Sequence, residues 1–395
     1  MILSDVCEFI VDCPHSTAPD EGKGYPLIRT PNVGKGRLDL NGVHRVSESV
    51  YKQRIQRGAP QANDLIFARE APAGNVALVQ ENQTVCLGQR TVLIRPNVQK
   101  VNPRYLVYYL LSPKPQYELL GTANGATVAH VNLPAIRNLK IELPEKSVQD
   151  KIGTILVSYD DLIENNQKQI KLLEEAAQRL YKEWFVDLRF PGHENTKIVD
   201  GVPEGWSIYP FSSKVDIMSG GTPKTSIPDY YNGKIPFYTP KDNDGAFFAY
   251  KTQMNITEGG LKNCNSRLYP PKTVIITARG TVGKTTILAV PMAMNQSCYA
   301  LKMKENDAPY YLFFALNNEI KALQTMANGG VFNTIIGKTF DSINIQIPKD
   351  PLIYGFEETV RPFMEQIKNK LQANSKLVEA RDRLLPKLMS GEVKV

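Results

Sequence analysis

Membrane-length apolar runs, paired cysteines, clustered histidines and complete catalytic motifs are all missing from this 395-residue chain. A bilayer-spanning helix takes about 20 consecutive apolar residues, and no stretch approaches that, so no membrane partner is expected. The amino terminus, Met1-Ile2-Leu3-Ser4-Asp5, has neither a basic start nor an apolar signal core, and a cytoplasmic location is the expectation. Cys7, Cys13, Cys86, Cys264 and Cys298 are odd in number and lack C-x-x-C spacing. They read as free buried thiols rather than a disulfide framework or a zinc site. Four scattered histidines further weaken the expectation of a metal.

Three fragments resemble catalytic signatures without completing them. An amino-methyltransferase holds a flipped base with Asn/Asp-Pro-Pro-aromatic; Asn102-Pro103-Arg104-Tyr105 has the wrong third residue and no Gly-rich loop before it. Ala278-x-x-x-x-Gly283-Lys284-Thr285 is close to a phosphate-binding loop, which should open a helix. The residues that follow, Thr286-Ile287-Leu288-Ala289-Val290, are strand-like and run into Pro291, so the loop is expected to join two strands. Glu21-Gly22-Lys23 has the spacing of a nuclease metal site but no upstream Asp in a strand, and reads as a solvated turn.

What the chain does contain is one kind of segment twice. Ala123-Asn124-Gly125 recurs 204 residues later as Ala327-Asn328-Gly329, each followed by an alternating, strand-like stretch ending in Leu143-Pro144 or Ile347-Pro348. At the same offset Ile163, Asn165, Leu173, Glu175, Ala176, Arg179 and Leu180 recur as Ile367, Asn369, Leu377, Glu379, Ala380, Arg383 and Leu384. This period is too long for a solenoid or propeller, so it indicates a duplicated two-part module. A hydrophobic content of 42% suffices for two or three separate cores.

Each globular part reads as short strands and turns: Tyr25–Ile28, Asp64–Ala68, Asn75–Val79 and Thr91–Ile94, then Ile235–Pro240, Thr273–Thr277 and Thr285–Leu288. One shorter helix is expected in each, near Pro103 to Leu120 and near Ala308 to Met326. Long heptad helices close both copies. Ile152, Leu156, Tyr159, Ile163, Asn166, Ile170, Leu173, Ala177, Leu180 and Trp184 are spaced by alternating fours and threes, the seam of a coiled coil. Shifted by 204, the second seam is Phe356, Val360, Phe363, Ile367, Lys370, Asn374, Leu377, Arg381, Leu384 and Leu388. Its three polar members favour specific pairing of one helix with the other over open-ended self-association. Two helices lying on a sheet are the alternative.

The linkers favour antiparallel pairing. A parallel pair would force the Pro- and Gly-rich linker near Phe190 to Trp206 to run back along the whole helix, about 48 Å at ~1.5 Å per residue. The expected fold is therefore α+β: two strand-rich recognition domains separated by two long helices in an antiparallel coiled coil, with an internal pseudo-twofold repeat. Its divisions are 1–145, 146–188, a linker at 189–205, 206–348 and 349–395. Two unlike readers at opposite ends of a rod, roughly one DNA turn of 34–36 Å apart, would suit a split asymmetric site.

The net charge of +7 lies mainly on the globular parts. Residues 1–145 carry 16 basic against 13 acidic side chains, and 205–348 carry 14 against 9. The helical parts carry 8 against 11 (146–204) and 9 against 7 (349–395). A phosphate-seeking surface needs such an excess, although solubility alone also accounts for it.

Ser219-Gly220-Gly221-Thr222-Pro223-Lys224 followed by Tyr230-Tyr231-Asn232-Gly233-Lys234-Ile235-Pro236-Phe237-Tyr238-Thr239-Pro240-Lys241-Asp242 resembles the opening of a target recognition domain in the specificity subunits of type I restriction-modification systems. Thr277-Ala278-Arg279-Gly280-Thr281-Val282-Gly283 resembles the family's central turn, and Leu384-Leu385-Pro386-Lys387-Leu388-Met389-Ser390-Gly391-Glu392-Val393 its carboxyl end. The first domain departs most, with Cys13-Pro14-His15-Ser16-Thr17 and Arg69-Glu70-Ala71-Pro72-Ala73-Gly74 at those places. The resemblance implies a non-catalytic subunit that binds double-stranded DNA and recruits two methyltransferase subunits, joined in the full complex by two restriction subunits. S-adenosylmethionine, ATP and Mg would then belong to the partners, with no cofactor on this chain. A stand-alone DNA-binding protein or coiled-coil scaffold without a methyltransferase is the alternative reading.

For DNA contacts the expectation is Arg69 and Arg279, which sit in equivalent turns and could bond guanine or a phosphate. Lys224, Lys241 and Lys284 read as phosphate anchors, and Gln89 and Gln296, in matching places, as adenine readers or backbone partners. Arg29-Thr30-Pro31 is aligned with Tyr238-Thr239-Pro240, which adds Arg29, Lys35 and Arg37; Arg90 and Thr222 complete the set.

Overall fold

The computed structural model describes residues 1–121, 130–326 and 334–395. The Ala123-Asn124-Gly125 and Ala327-Asn328-Gly329 repeats lie outside them. The chain divides into two units, Met1–Asn165 with Asn374–Val395, and Asn166–Ala373.

The first unit holds strands β1 (Cys7–Asp12), β2 (Tyr25–Ile28), β3 (Gly36–Arg37), β4 (Arg45–Val46), β5 (Leu65–Ala68), β6 (Val76–Leu78), β7 (Cys86–Leu87) and β8 (Thr91–Pro96). Its helices are α1 (Glu48–Arg54), α2 (Pro103–Leu111), α3 (Pro113–Gly121) and α4 (Leu133–Arg137), followed by the long α5 (Lys146–Tyr181), which continues into the second unit. There the strands are β9 (Ile198–Val199), β10 (Val202–Pro203), β11 (Ser207–Pro210), β12 (Val215–Ser219), β13 (Tyr231–Tyr238), β14 (Phe248–Ala249), β15 (Asn255–Ile256), β16 (Val274–Thr277), β17 (Thr285–Leu288), β18 (Ala293–Met294), β19 (Cys298–Met303) and β20 (Asn344–Ile347). Its helices are α6 (Phe211–Lys214), α7 (Glu258–Lys262) and α8 (Pro309–Met326), and α9 (Asp350–Ser390) returns to the first unit.

Both units build the same two main sheets. A five-stranded sheet runs β1-β8-β5-β6-β3 in one and β12-β19-β16-β17-β14 in the other, and a three-stranded one runs β4-β2-β7 or β15-β13-β18. Successive side chains of a strand point to opposite faces, so Leu65 and Phe67 pack with Leu106 and Leu110 of α2 while Ile66 and Ala68 pack with Ile28 and Val33. In the second unit Val274 and Ile276 share a core with Leu312 and Leu316 of α8, and Ile275 with Tyr238 and Met294.

Two local expectations need correction. The stretch ending at Leu143-Pro144 is not a strand. Residues Leu133–Arg137 form α4, and Ile2 makes only an isolated bridge to Lys140, whereas β20 pairs with four residues of β11. The single helix expected near Pro103 to Leu120 is two, because Pro113 has no N–H to continue α2 and instead opens α3.

The heptad positions Ile152, Leu156, Ile170, Phe356, Val360, Ile367 and Leu388 are buried; Tyr159, Ile163, Leu173, Leu180, Trp184, Phe363, Leu377 and Leu384 are half-buried. The helices pair antiparallel inside each unit. In the first, the Ile163 carbonyl accepts from Asn374 Nδ2 (3.4 Å), Asp160 pairs with Arg381, and Ile152 and Leu156 share a core with Leu388. In the second, Ile170 shares a core with Ile367, and the Trp184 and Phe356 rings meet edge-on with centroids 5.9 Å apart. No helix among the described residues is long and apolar enough to cross a membrane.

Candidate nucleic-acid interface

In the second unit the turn between β16 and β17 is closed by Thr277. Its hydroxyl accepts from Lys284 N–H (3.1 Å) and donates to the Thr281 carbonyl. Gly280 and Gly283 take φ of +81° and +82°, a conformation glycine adopts without Cβ clash. The loop therefore joins two antiparallel strands, and Gly283-Lys284-Thr285 does not open a helix. Thr281 Oγ1 donates to the Pro240 carbonyl (3.4 Å), which sets this turn beside the 3-10 turn Pro240–Asp242 that carries Lys241.

The Gly220-Gly221 pair has a packing cause. A Cβ on Gly220 would lie 2.3 Å from the Asn295 carbonyl oxygen, and one on Gly221 would lie 2.6 Å from the Asn265 nitrogen. Thr222 then donates its hydroxyl to Gln296 Oε1. The first unit braces the corresponding loop differently, with Gln89 Nε2 donating to the His15 carbonyl (2.7 Å).

Backbone bonds fix the register between the two central turns. Gly74 N–H bonds the Ala68 carbonyl and Gly283 N–H the Thr277 carbonyl, each at 2.9 Å. Arg69 N–H bonds the Arg90 carbonyl and Ala278 N–H the Ser297 carbonyl. Position 69 thus corresponds to 278, position 70 to 279 and position 90 to 297. Arg69 and Arg279 lie in corresponding turns but at positions shifted by one residue, and Glu70 holds Arg279's place. The alignment of Arg29 is shifted likewise. Arg29 N–H bonds Asn32 Oδ1 as Thr239 N–H bonds Asp242 Oδ2, so Arg29 matches Thr239 and Pro31 matches Lys241.

Arg69 is turned inward. Its Nε donates to the Val131 carbonyl (2.8 Å), Nη2 lies 2.8 Å from His130 Nε2, and Nη1 lies 3.6 Å from Asp12 Oδ2. Asp12 also receives Arg57 at 2.5 Å, and Glu70 bridges His130 Nδ1 (2.5 Å) and Arg90 Nη1 (2.8 Å). Sequence reasoning missed Asp12, Arg57, Glu70 and His130; aligning Gly74 with Gly283 would have exposed Glu70. Among the described residues no group of three or more His, Cys, Asp or Glu is placed to hold a metal ion.

A family model described as the type I restriction modification DNA specificity domain matches residues 1–175 and again 203–372. The chain belongs to that family. It is a specificity subunit, the DNA-recognition and non-catalytic component of a type I restriction-modification system. Over 363 residues it is 28% identical to the type I restriction enzyme MjaIX specificity subunit of Methanocaldococcus jannaschii, covering 90% of this chain and 83% of that one. Over 408 residues it is 24% identical to the HindI specificity subunit of Haemophilus influenzae, covering 87% and 88%. It shares its fold with the type I S subunit from M. genitalium, with TM-score 0.58 and 16% identity over 98% of this chain and 95% of the other.

Within this specificity subunit the expected contact residues separate by environment. Lys224, Lys241, Arg279 and Lys284 are exposed, and none forms an ion pair among the described residues. Thr222 and Gln296 are exposed beside them. In the first unit Lys35 and Arg90 are exposed and Gln89 is half-buried. Arg37 pairs with Asp161 of α5, and both Arg29 and Arg37 bury their Nε without a hydrogen-bond partner. Arg37 and Arg69 are thus committed within their own unit.

Proposed function

We propose that this specificity subunit reads a bipartite, asymmetric site in double-stranded DNA, one half-site per unit, and recruits two methyltransferase subunits and, in the full complex, restriction subunits. The carrying observation is that both units build the same sheet order yet present different side chains on the same two adjoining turns: Glu70 and Arg90 in one, Arg279 and Ser297 in the other. A common scaffold with divergent tips suits two readers of different sequence, while exposed Lys224, Lys241 and Lys284 supply sequence-independent attraction to phosphates. Adenine N6 methylation with S-adenosylmethionine and ATP-driven, Mg-dependent cleavage reside on the partners, and this chain binds none of those cofactors.

The test is selection from a random-sequence duplex pool by the chain reconstituted with its methyltransferase. The expected outcome is one enriched motif whose binding weakens as salt rises. Enrichment no different from that of the methyltransferase alone would overturn the reading.

A further inference from the structure

Arg90 combines three properties. Its side chain is 62% exposed, and its φ is +63°, in the left-handed region that side-chain-bearing residues enter at a cost. Its guanidinium is also held from one side by a partly buried carboxylate, Glu70, at 2.8 Å. Glu70 is held in turn. His130 Nε2 faces the obligate donor Arg69 Nη2 and so accepts, which leaves Nδ1 as the N–H that donates to Glu70. A chain of bonds from Arg69 through His130 and Glu70 therefore ends on Arg90.

The second unit carries different residues at two of these positions. Position 70 becomes Arg279, exposed and unpaired among the described residues, and position 90 becomes Ser297. Since Arg69 N–H bonds the Arg90 carbonyl and Ala278 N–H the Ser297 carbonyl, position 90 is one member of a backbone pair and position 70 adjoins the other. Each unit thus carries one exposed arginine beside this pair, on a different turn in each.

Resting on the function proposed above, we infer that Arg90 and Arg279 are the specificity-determining side chains of the two half-sites, and that Glu70 and His130 are positioning residues for Arg90. A guanidinium has five donors in a fixed fork, and Glu70 meets Arg90 at Nη1, which leaves donors for a bidentate bond to guanine O6 and N7. Delivery from different turns of one fold gives the two units different readers, so each addresses its own base position.

The test expresses full-length variants with the methyltransferase in cells otherwise free of adenine methylation and reads the methylated motif genome-wide. Arg90→Ala and Arg90→Lys should each relax one base of one block about tenfold or more and leave the other block intact. Arg279→Ala and Arg279→Lys should do the same to the other block. Glu70→Gln keeps the acceptor for His130 but removes the charge, and should relax the base lost in Arg90→Ala; a structural role alone would lower occupancy at all sites equally. An unchanged motif with uniformly lower occupancy, or full rescue by lysine, would make both arginines phosphate anchors and overturn the inference. Absence of any motif with the wild-type chain would sink the proposed function as well, so the two failures are distinguishable.

Discussion

Asp160 and Arg381 form a buried ion pair inside the first unit, with Oδ1 to Nη1 at 2.5 Å and the carboxylate only 3% exposed. The other carboxylate oxygen accepts from Tyr108 Oη at 2.5 Å. At the corresponding positions of the second unit stand Met364, Ala177 and Phe314, all buried and apolar. The same junction is therefore ionic in one unit and hydrophobic in the other. A helix paired with a copy of itself would set Asp160 against Ala177 and leave a charge buried alone.

Removing one partner should cost more than replacing the whole cluster. Asp160→Met or Arg381→Ala alone should destabilise the first unit by about 3–5 kcal/mol, whereas combining both with Tyr108→Phe, which copies the second unit, should recover most of that loss. Denaturant unfolding followed by hydrogen exchange in α2 measures it. A triple variant no better than the weaker single would show that the cluster does not act as a unit.

Glu357 makes a pH-dependent contribution with a definite sign. It is 4% exposed and accepts from Tyr311 N–H (2.8 Å), capping α8 from a neighbouring helix because Ala308 has no capping side chain. Burial raises its pKa from 4.5 to about 7 despite the backbone bonds. Folding then favours the protonated acid, so its stabilisation is full below about 4.5 and is lost as pH rises through about 7. Glu357→Gln keeps an acceptor and should flatten the stability profile of the second unit across that window by on the order of 3 kcal/mol. An unchanged slope in denaturant unfolding between pH 4.5 and 8 would contradict this.

Gly220→Ala should damage the second unit specifically. The added Cβ meets backbone carbonyl oxygens of Asn295 and Met294 at 2.3 and 2.4 Å, which side-chain motion cannot relieve. A loss of several kcal/mol is expected, with hydrogen-exchange protection lowered around β19 and retained around β8.

Arg69→Met and Lys284→Ala should separate packing from phosphate contact. The first should lower melting temperature, because it removes the bonds to Val131 and His130. The second should leave stability within about 0.5 kcal/mol and reduce the logarithmic salt slope of DNA binding by about 0.9. A stable Arg69→Met chain with a reduced salt slope would return Arg69 to the DNA surface.

The repeat and the heptads were legible because they rest on identities at a constant offset and on a fixed period. The register of the tips was not. Between Leu65 and Gly74 only the turn glycine marks the alignment with Val274 to Gly283, and in that register the two turn arginines, Arg69 and Arg279, fall one residue apart. Packing within the unit engages two of the expected contact residues. Arg37 and Arg69 have the composition of contact residues, yet Asp161 in one case and Asp12 with His130 in the other hold them within the fold, and those partners lie 124 and about 60 residues away or on separate loops. Arg381, read as a polar seam position, proved to be one half of a buried pair because Asp160 lies outside the heptad frame.

The central claim is that each unit reads its own half of one site. Mapping N6-methyladenine across a genome modified by this chain with its methyltransferase tests it most directly. The account predicts a single asymmetric motif of two defined blocks separated by a spacer of fixed length and free sequence. A continuous or palindromic motif, or methylation unchanged when this chain is deleted, would contradict it.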